Sequence, residues 1–256
     1  MVTRVAVCGD SFACGVGLPP ATAFEDNFGG LVAKHFNATH DVYARSGCCN
    51  FVIYLQVKKV IEHYALRKEK PLVLITTTNH SRFIFPTGDS FDYKNYTLED
   101  VDYLSYMPYS EVTGEYKRSL PFKPNKNPLL VSETVSNVMW YLKHKTENLG
   151  KLFTLIKDKL PAVEHYYENL YDDNVKQTYD NALIMNMHLE LKHAGFEHII
   201  IHPQHHPVRF IDSNNLLISD WGNYIRLYPD AGGSGHCDER GHKAVANAII
   251  SKLEQR

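Results

Sequence analysis

The chain has 256 residues, of which 44% are hydrophobic, and carries a formal net charge of -2 with acidic and basic residues interspersed. This composition supports a full hydrophobic core and gives neither a basic stripe for nucleic acid nor a block of like charge typical of a disordered tail. The sequence lacks an apolar run long enough to span a membrane and lacks the features of a signal peptide, which predicts a cytoplasmic protein.

Alternating strands and helices are predicted for the first 80 residues. The continuous apolar run from Val2 to Cys8 is typical of a parallel strand that is covered on both faces. A helix is predicted from Ala21 to Phe36, a strand from Asp41 to Ala44, a helix from Phe51 to Leu66 and a strand from Leu72 to Thr77. These strand-helix steps favour a parallel sheet with right-handed crossovers.

The pattern is lost between Asn79 and Ser132, where many aromatic residues occur among prolines and glycines. This stretch is too long for a simple connection and predicts an inserted lid or wall at about residues 80–132. Two interpretations stay open, because its rings could pack on the domain's own flank or form a platform for a ligand. The aromatic residues are Phe83, Phe85, Phe91, Tyr93, Tyr96, Tyr103, Tyr106, Tyr109, Tyr116 and Phe122.

Helices and strands return in the second half of the chain. Helical stretches are predicted from Glu133 to Lys159 and from Asn174 to His193, with a break at Pro161. We expect residues 1–256 to form a single α/β domain. The remaining predicted elements are a strand from Phe196 to His202, a short strand near Leu216 to Ser219 and a final helix from Glu239 to Leu253.

Residue types that hydrolytic chemistry requires follow the predicted strands. Ser11 ends a Gly-Asp-Ser turn after the first strand, at the edge of a parallel sheet where ligands bind. A serine needs a base to take its proton as it attacks a carbonyl, and His236, just before the final helix, is the best candidate. The oxyanion of the tetrahedral intermediate needs hydrogen-bond donors, which the backbone of Ser11 and Gly47 and the side chain of Asn79 can supply.

In their order and contexts, Gly9-Asp10-Ser11, Gly47, Asn79 and His236 resemble the SGNH or GDSL hydrolase superfamily, over residues 5 to about 250. The resemblance implies a three-layer α/β/α sandwich with a mainly parallel, flavodoxin-like five-stranded sheet. It also implies that Ser11 is the nucleophile, that His236 is the base and that Gly47 and Asn79 complete the oxyanion hole. It implies neither a metal nor an organic cofactor.

Two positions depart from the family pattern. Members usually carry Asp-x-x-His, but Gly233 stands three residues before His236. Asp230, six positions upstream across a glycine-rich run, is the candidate for orienting the imidazole, and a backbone carbonyl or a water is the alternative. Asn79 is followed by His80 rather than by the common aspartate, which leaves the anchoring of Asn79 open.

The sequence therefore predicts a serine esterase that acts on a small acyl ester, first of all an acetyl ester, of a carbohydrate or a lipid. A sugar ring would stack on the aromatic insertion. One alternative is a non-catalytic binding or structural module on the same scaffold. Another is a metal-dependent hydrolase. Its ligands would come from His202, His205, His206, His236, Cys237, Asp238 and His242.

Three further expectations concern the cysteines, His242 and Arg82. The five cysteines, an odd number without a Cys-x-x-Cys pair, are typical of free structural thiols in a reducing compartment. His242 is expected to cap or pack the last helix. For Arg82 we favour an ion pair with a surface acid over binding of a substrate carboxylate. Nothing in the sequence indicates the oligomeric state.

Overall fold

The structure is a computed structural model that describes residues 2–19, 21–86, 94, 96, 101–103, 130–134, 160–202, 208, 210–218, 221–233 and 235–256. Strands and helices alternate in β1 (Arg4–Cys8), α1 (Ala23–Asp26), α2 (Phe28–His35), β2 (Thr39–Val42), α3 (Asn50–Arg67) and β3 (Leu72–Thr76). Three short strands follow, β4 (Arg82–Pro86), β5 (Val101–Tyr103) and β6 (Leu130–Thr134). The later elements are α4 (Leu160–Asn169), α5 (Asp173–His193), β7 (His198–His202), β8 (Leu216–Ile218), α6 (Trp221–Leu227) and α7 (Glu239–Glu254).

Five strands form one parallel sheet in the order β2-β1-β3-β7-β8. Cys8 pairs with Ile75 and Thr76 pairs with Ile201, so the central strands end at nearly the same level. In this flavodoxin-like order the direction of strand addition reverses between β1 and β3, which is where open α/β sheets bind their ligands. The expected sheet is therefore confirmed.

Both faces of the sheet are covered by helices, because the side chains of each central strand point alternately to opposite sides. Val5 and Val7 of β1 pack in one cluster with α2 and α7. Ala6 and Cys8 pack in a second cluster with α3 and α5. The protein is a three-layer α/β/α sandwich, as expected. None of the described helices is long and apolar enough to cross a membrane.

The continuous helix predicted from Ala21 to Phe36 is wrong, since the helix breaks at Asn27. The backbone of Asn27 is extended (φ -68°, ψ 162°), and its side-chain oxygen accepts a hydrogen bond from the Gly30 amide at 2.9 Å. This side chain caps α2. A Cβ atom on Gly29 would collide with the Val7 side chain, so the restarted helix lies very close to β1.

Other boundaries also differ from the predictions. Glu133, predicted to begin a helix, lies in β6, and residues 135–159 lie outside the described residues. The helix α4 was not predicted. Pro161 stands in its first turn, where a missing backbone N–H leaves no helical hydrogen bond unmade. The second strand begins and ends two residues earlier than predicted.

The predicted insertion contains a small second sheet, in which β6 pairs antiparallel with β4 and parallel with β5. Tyr96, which lies in the insertion between β4 and β5, is buried. Its hydroxyl donates to the Leu55 carbonyl at 2.7 Å, and the Lys59 ammonium lies 4.3 Å from the centroid of its ring. Tyr96 thus packs on the flank of α3, which agrees with the first interpretation for this residue. Outside the described residues lie Phe91, Tyr93, Tyr106, Tyr109, Tyr116 and Phe122.

The chain leaves β1 through Gly9, whose φ of +148° is rarely adopted by residues with side chains. A Cβ atom at Gly9 would collide with the Thr76 hydroxyl and lie 2.7 Å from Ala13 Cβ. The close approach of β1 and β3 at this point therefore requires glycine.

We expect Gly9→Ala to lower the free energy of unfolding by about 2–4 kcal/mol, since it combines backbone strain with overpacking. Urea unfolding measures this loss. Gly233→Ala is the matched control, because Gly233 has φ +63° but no described atom within 4 Å of the added Cβ. The control should lose only about 1 kcal/mol. Equal losses in the two variants would contradict the packing argument.

The pKa of three histidines is lowered to about 4, and removal from water is the main cause in each case. They are His40 in β2, His198 in β7 and His242 in α7. The His198 ring lies 3.0 Å from the Phe196 carbonyl, and His242 Nδ1 accepts from the Phe28 amide at 3.3 Å. All three are neutral in the folded protein at neutral pH.

Acid should therefore destabilise the protein in a defined pH window. Below about pH 6.5 the unfolded chain takes up protons at these histidines, whereas the folded chain does not until about pH 4. The free energy of unfolding should fall from pH 6.5 toward pH 4, by at most about 3 kcal/mol for each histidine. Urea midpoints at pH 7, 6 and 5 measure this fall, and His242→Gln should lessen it. A midpoint that stays constant from pH 7 to pH 5 would contradict the assignment.

Candidate active site

Consecutive turns hold the candidate nucleophile at the end of β1. Ser11 is 3% exposed, and its carbonyl accepts from the Val16 amide at 3.0 Å. The Asp10 carbonyl accepts from the Cys14 amide at 3.1 Å, and the Asp10 carboxylate accepts from the Phe12 amide at 3.2 Å. The backbone on both sides of Ser11 is therefore fixed by hydrogen bonds within the turn.

A buried glutamine of α3 fixes the residue that begins this turn. The Gly9 amide donates to Gln56 Oε1 at 2.7 Å, and Gln56 Nε2 donates back to the Gly9 carbonyl at 3.2 Å. The same Nε2 lies 3.5 Å from Cys48 Sγ, in the loop after β2. Gln56 is not among the site residues predicted from the sequence, although a glutamine between Leu55 and Val57 in an apolar helix is a usable indication.

The candidate base lies in a closed loop between α6 and α7. Pro229 and Cys237 form an antiparallel bridge at its base. Inside it, the Asp230 amide donates to the His236 carbonyl at 3.1 Å, and the His236 amide donates to Asp230 Oδ1 at 3.3 Å. Asp230 is 8% exposed. Its carboxylate lies next to His236, on the backbone N–H of that residue.

The turn after β1 contacts the loop that carries His236 at the carboxyl ends of the strands. The ring of Phe12, the residue after Ser11, lies 4.7 Å from the His236 ring at 46° and stacks on Trp221 at 4.5 Å. A Cβ on Gly17 would lie 2.9 Å from His236 Cβ. The turn that follows Ser11 is thus packed directly against the loop that carries His236.

The candidate oxyanion residues lie on the neighbouring loops. Gly47 has φ +77°, a conformation that favours glycine. Asn79 is exposed, and its Oδ1 accepts from the Ser81 amide at 2.9 Å, so its Nδ2 group is the end that can donate to a ligand. Asn50 holds the residue before Asn79, because its side chain pairs with both backbone groups of Thr78 at 2.9 Å.

Acidic residues distant in sequence lie near the loop that bears Asn79. The next residue, His80, has its Nε2 3.7 Å from an Asp173 carboxylate oxygen. The buried Asp180 accepts from Asn50 Nδ2 at 2.9 Å and from the Lys176 ammonium at 2.6 Å, and burial raises its pKa. Asp180 and Asn50 together anchor the loop that bears Asn79.

Arg82 lies shortly after Asn79 and contacts the loops that follow β1 and β2. Its Nη1 donates to the Cys48 carbonyl at 3.2 Å, and its Nη2 lies 3.8 Å from Asp10 Oδ2. The expected pairing with a surface acid is wrong, because Asp10 is buried next to Ser11. The partner is distant in the sequence, so spacing alone could not identify it.

The remaining candidate groups have structural contacts. All five cysteines are free and buried, and burial raises the pKa of the Cys48 thiol and brings that of Cys237 to about 12, so neither is an activated nucleophile. His202 Nδ1 lies 2.7 Å from the Thr77 hydroxyl, and His242 packs in the helical layer as expected. Among the described residues, which do not include 203–207, no three His, Cys, Asp or Glu side chains are grouped to hold a metal ion.

We expect Arg82→Met to lower the free energy of unfolding by about 1–3 kcal/mol, because it leaves the Asp10 carboxylate without its cation and the Cys48 carbonyl without this donor. Arg82→Lys should recover part of the loss, since lysine keeps the positive charge but lacks the planar guanidinium that reaches both partners. Arg67→Met, at an exposed position of α3, should change the stability by less than about 0.5 kcal/mol. Urea unfolding of the three variants gives the comparison, and equal effects at Arg82 and Arg67 would refute the bridging role.

No protein-family model and no curated protein matches this chain. Six chains of solved structures do. One belongs to a carbohydrate esterase whose active site is described as displaying divergent catalytic and non-catalytic binding functions. The alignment has 14% sequence identity, covers 99% of this chain and 65% of the esterase chain, and has a TM-score of 0.37. Another is a carbohydrate esterase family 2 enzyme of Corynascus thermopiles (Myceliophthora fergusii) with a carbohydrate binding domain, at 13% identity, 98% and 67% coverage and a TM-score of 0.35. The chain thus spans about two thirds of the length of these structures.

Proposed function

We propose that the protein hydrolyses carboxylic esters, with Ser11 as the nucleophile and His236 as the general base, in the manner of the SGNH hydrolases that its sequence resembles. The observation that carries the proposal is the packing of Phe12 on the His236 ring at 4.7 Å. This contact supports a pairing of Ser11, at the end of β1, with His236 at the carboxyl edge of one parallel sheet. Such a pair is what nucleophilic catalysis by serine requires.

The reaction would proceed in two balanced steps. In the first, His236 takes the Ser11 proton as Oγ attacks the ester carbonyl, and the protonated imidazole then gives that proton to the departing alcohol. An acyl group remains on Ser11. In the second, His236 takes a proton from water as the water attacks the acyl carbon, and returns it to Ser11 when the carboxylic acid leaves.

The oxyanion that forms in each step would accept hydrogen bonds from the backbone N–H groups of Ser11 and Gly47 and from Asn79 Nδ2. Loss of one such donor typically costs about 10²–10³ in rate, provided that the donors are held in place before reaction. The support for this arrangement is the set of contacts that fix these loops, namely Gln56 on Gly9 and Asn50 on Thr78.

Asp230 is proposed as the residue that positions His236. Its carboxylate oxygen binds the His236 backbone amide, and its own amide binds the His236 carbonyl. These contacts fix the backbone from which the imidazole extends. They support a positioning role for Asp230 that does not depend on the spacing of the usual Asp-x-x-His motif.

A non-catalytic binding module is the second candidate function. It is favoured by Gly233, an exposed residue with φ +63° at the position where the family usually carries its aspartate. For the enzyme, the proposed substrate remains an ester of a carbohydrate or a lipid.

Labelling by a fluorophosphonate separates the two candidates. We expect the probe to modify Ser11, as located by peptide mass spectrometry, and His236→Ala to abolish the modification. Ser11→Ala should lower ester hydrolysis by at least about 10³-fold with an unchanged circular dichroism spectrum, whereas Ser46→Ala, at a half-buried serine of the neighbouring loop, should still be labelled at Ser11. A folded protein that is not labelled would favour the binding module.

A further inference from the structure

A cavity of about 400 Å³ lies beside the loops that follow β2 and β3 and has no role in the chemistry described above. Its walls are mostly apolar and combine aromatic with aliphatic side chains. This size and lining are typical of sites for small organic ligands. The apolar lining residues are Phe51, Ile84, Tyr166, Leu170, Val175 and Tyr179.

The cavity lies beside the oxyanion loops. Arg82 and Cys49 form part of its wall, and Arg82 reaches the carbonyl of Cys48 and the carboxylate of Asp10, the neighbour of Ser11. Asp180 also lines it and is bonded to Asn50, which holds the loop before Asn79. The cavity therefore borders the loops that follow β2 and β3, and Arg82 connects its wall to the loop that follows β1.

The cavity and the candidate base lie on opposite faces of the sheet. Phe51 and Ile84 pack against the cluster formed with α3 and α5. Phe12, which contacts His236, packs against the cluster formed with α2 and α7. A substrate bound at Ser11 would thus extend from one face to the other across the carboxyl edge of the sheet.

The direction of proton transfer assigns the two ends of the substrate. The departing alcohol must lie near His236, because it takes its proton from the imidazole. The acyl group then extends away from His236, toward the α3 and α5 face. Building on the proposed function, we propose that the cavity binds the acyl group of the substrate and that this group is uncharged, apolar and longer than acetyl.

The charged groups in the wall favour an uncharged occupant. Asp180 accepts from Lys176 at 2.6 Å, and Asp172 accepts from the amides of Asn174 and Val175 at the start of α5. Arg82 is engaged by Asp10 and Cys48, as described above. Each charge is thus balanced or hydrogen-bonded within the protein, and the wall holds two cationic and two acidic side chains.

Exposure of apolar side chains is concentrated at this cavity. Among the described residues, eight large apolar side chains are exposed, and four of them line it. These are Tyr166, Leu170, Val175 and Tyr179, with exposed fractions of 41%, 69%, 69% and 54%. An apolar surface of this kind gains free energy when an apolar group covers it. An acetyl group is too small to do so, which favours a longer acyl group over the acetyl group expected from the sequence.

The test uses p-nitrophenyl acetate, butanoate, hexanoate and octanoate, which share one leaving group and differ only in the acyl chain. Each methylene that becomes fully buried is worth about a fourfold change in kcat/KM. We expect kcat/KM to rise at least tenfold from the acetate to the hexanoate. A constant or falling value along the series would overturn the proposal.

Variants locate the effect in the cavity. Leu170→Glu and Val175→Glu each place a charge at the wall and should lower the hexanoate-to-acetate ratio of kcat/KM at least fivefold. Leu66→Glu is the matched control, since Leu66 is 86% exposed at the end of α3 and does not line the cavity. It should leave the ratio unchanged. Equal ratios in all three variants would place the selectivity elsewhere and overturn the proposal.

Binding without turnover separates this proposal from the proposed function. Calorimetric titration of the Ser11→Ala variant with methyl hexanoate should show binding that Leu170→Glu weakens. If the wild type hydrolyses no ester but this binding is seen, the esterase function fails and the apolar site stands. If acetate hydrolysis depends on Ser11 but the Ser11→Ala variant does not bind methyl hexanoate, the acyl site fails and the esterase function stands.

Discussion

The geometry of the candidate site depends on the pair of hydrogen bonds by which the buried Gln56 side chain holds Gly9. Gly9 ends the strand before Ser11 and lies at the point where the sheet changes its direction of strand addition. Both of its backbone groups are buried and need partners. Helix α3 supplies a partner for each, and the Arg45 amide also donates to the Gly9 carbonyl, at 3.0 Å. The position of Ser11 relative to the sheet is thereby set by the packing of α3, not by the turn alone.

The same principle extends to the neighbouring loops, where side chains bind backbone groups across large distances in sequence. Asn50, also on α3, holds Thr78 after β3, and Arg82 reaches the loop after β2. One helix and one guanidinium therefore fix the three loops that carry Ser11, Gly47 and Asn79. Hydrogen bonds of this kind suit a site that must hold oxyanion donors before the substrate arrives.

The sequence predicted the parts of this arrangement that depend on local patterns. The apolar runs of β1, β3 and β7 identify strands buried on both faces, and parallel strands bring the residues after them to one edge. Gln56 and Arg82 could not be placed in this way, because their partners, Gly9 and Asp10, lie far away in sequence. The break at Asn27 was missed for a different reason, since a helix cap inside an apolar stretch leaves the helical spacing almost unchanged.

Ser11, His236 and the oxyanion donors are proposed to form one catalytic site. The most direct measurement is a crystal structure of the protein after reaction with a hexylphosphonate ester. We expect phosphorus bonded to Ser11 Oγ, His236 within hydrogen-bonding distance of that oxygen, and the phosphoryl oxygen bound by the amides of Ser11 and Gly47 and by Asn79. The hexyl chain should lie between Phe51 and Val175. A phosphoryl oxygen that points to solvent, or an adduct remote from His236, would rule out this catalytic site.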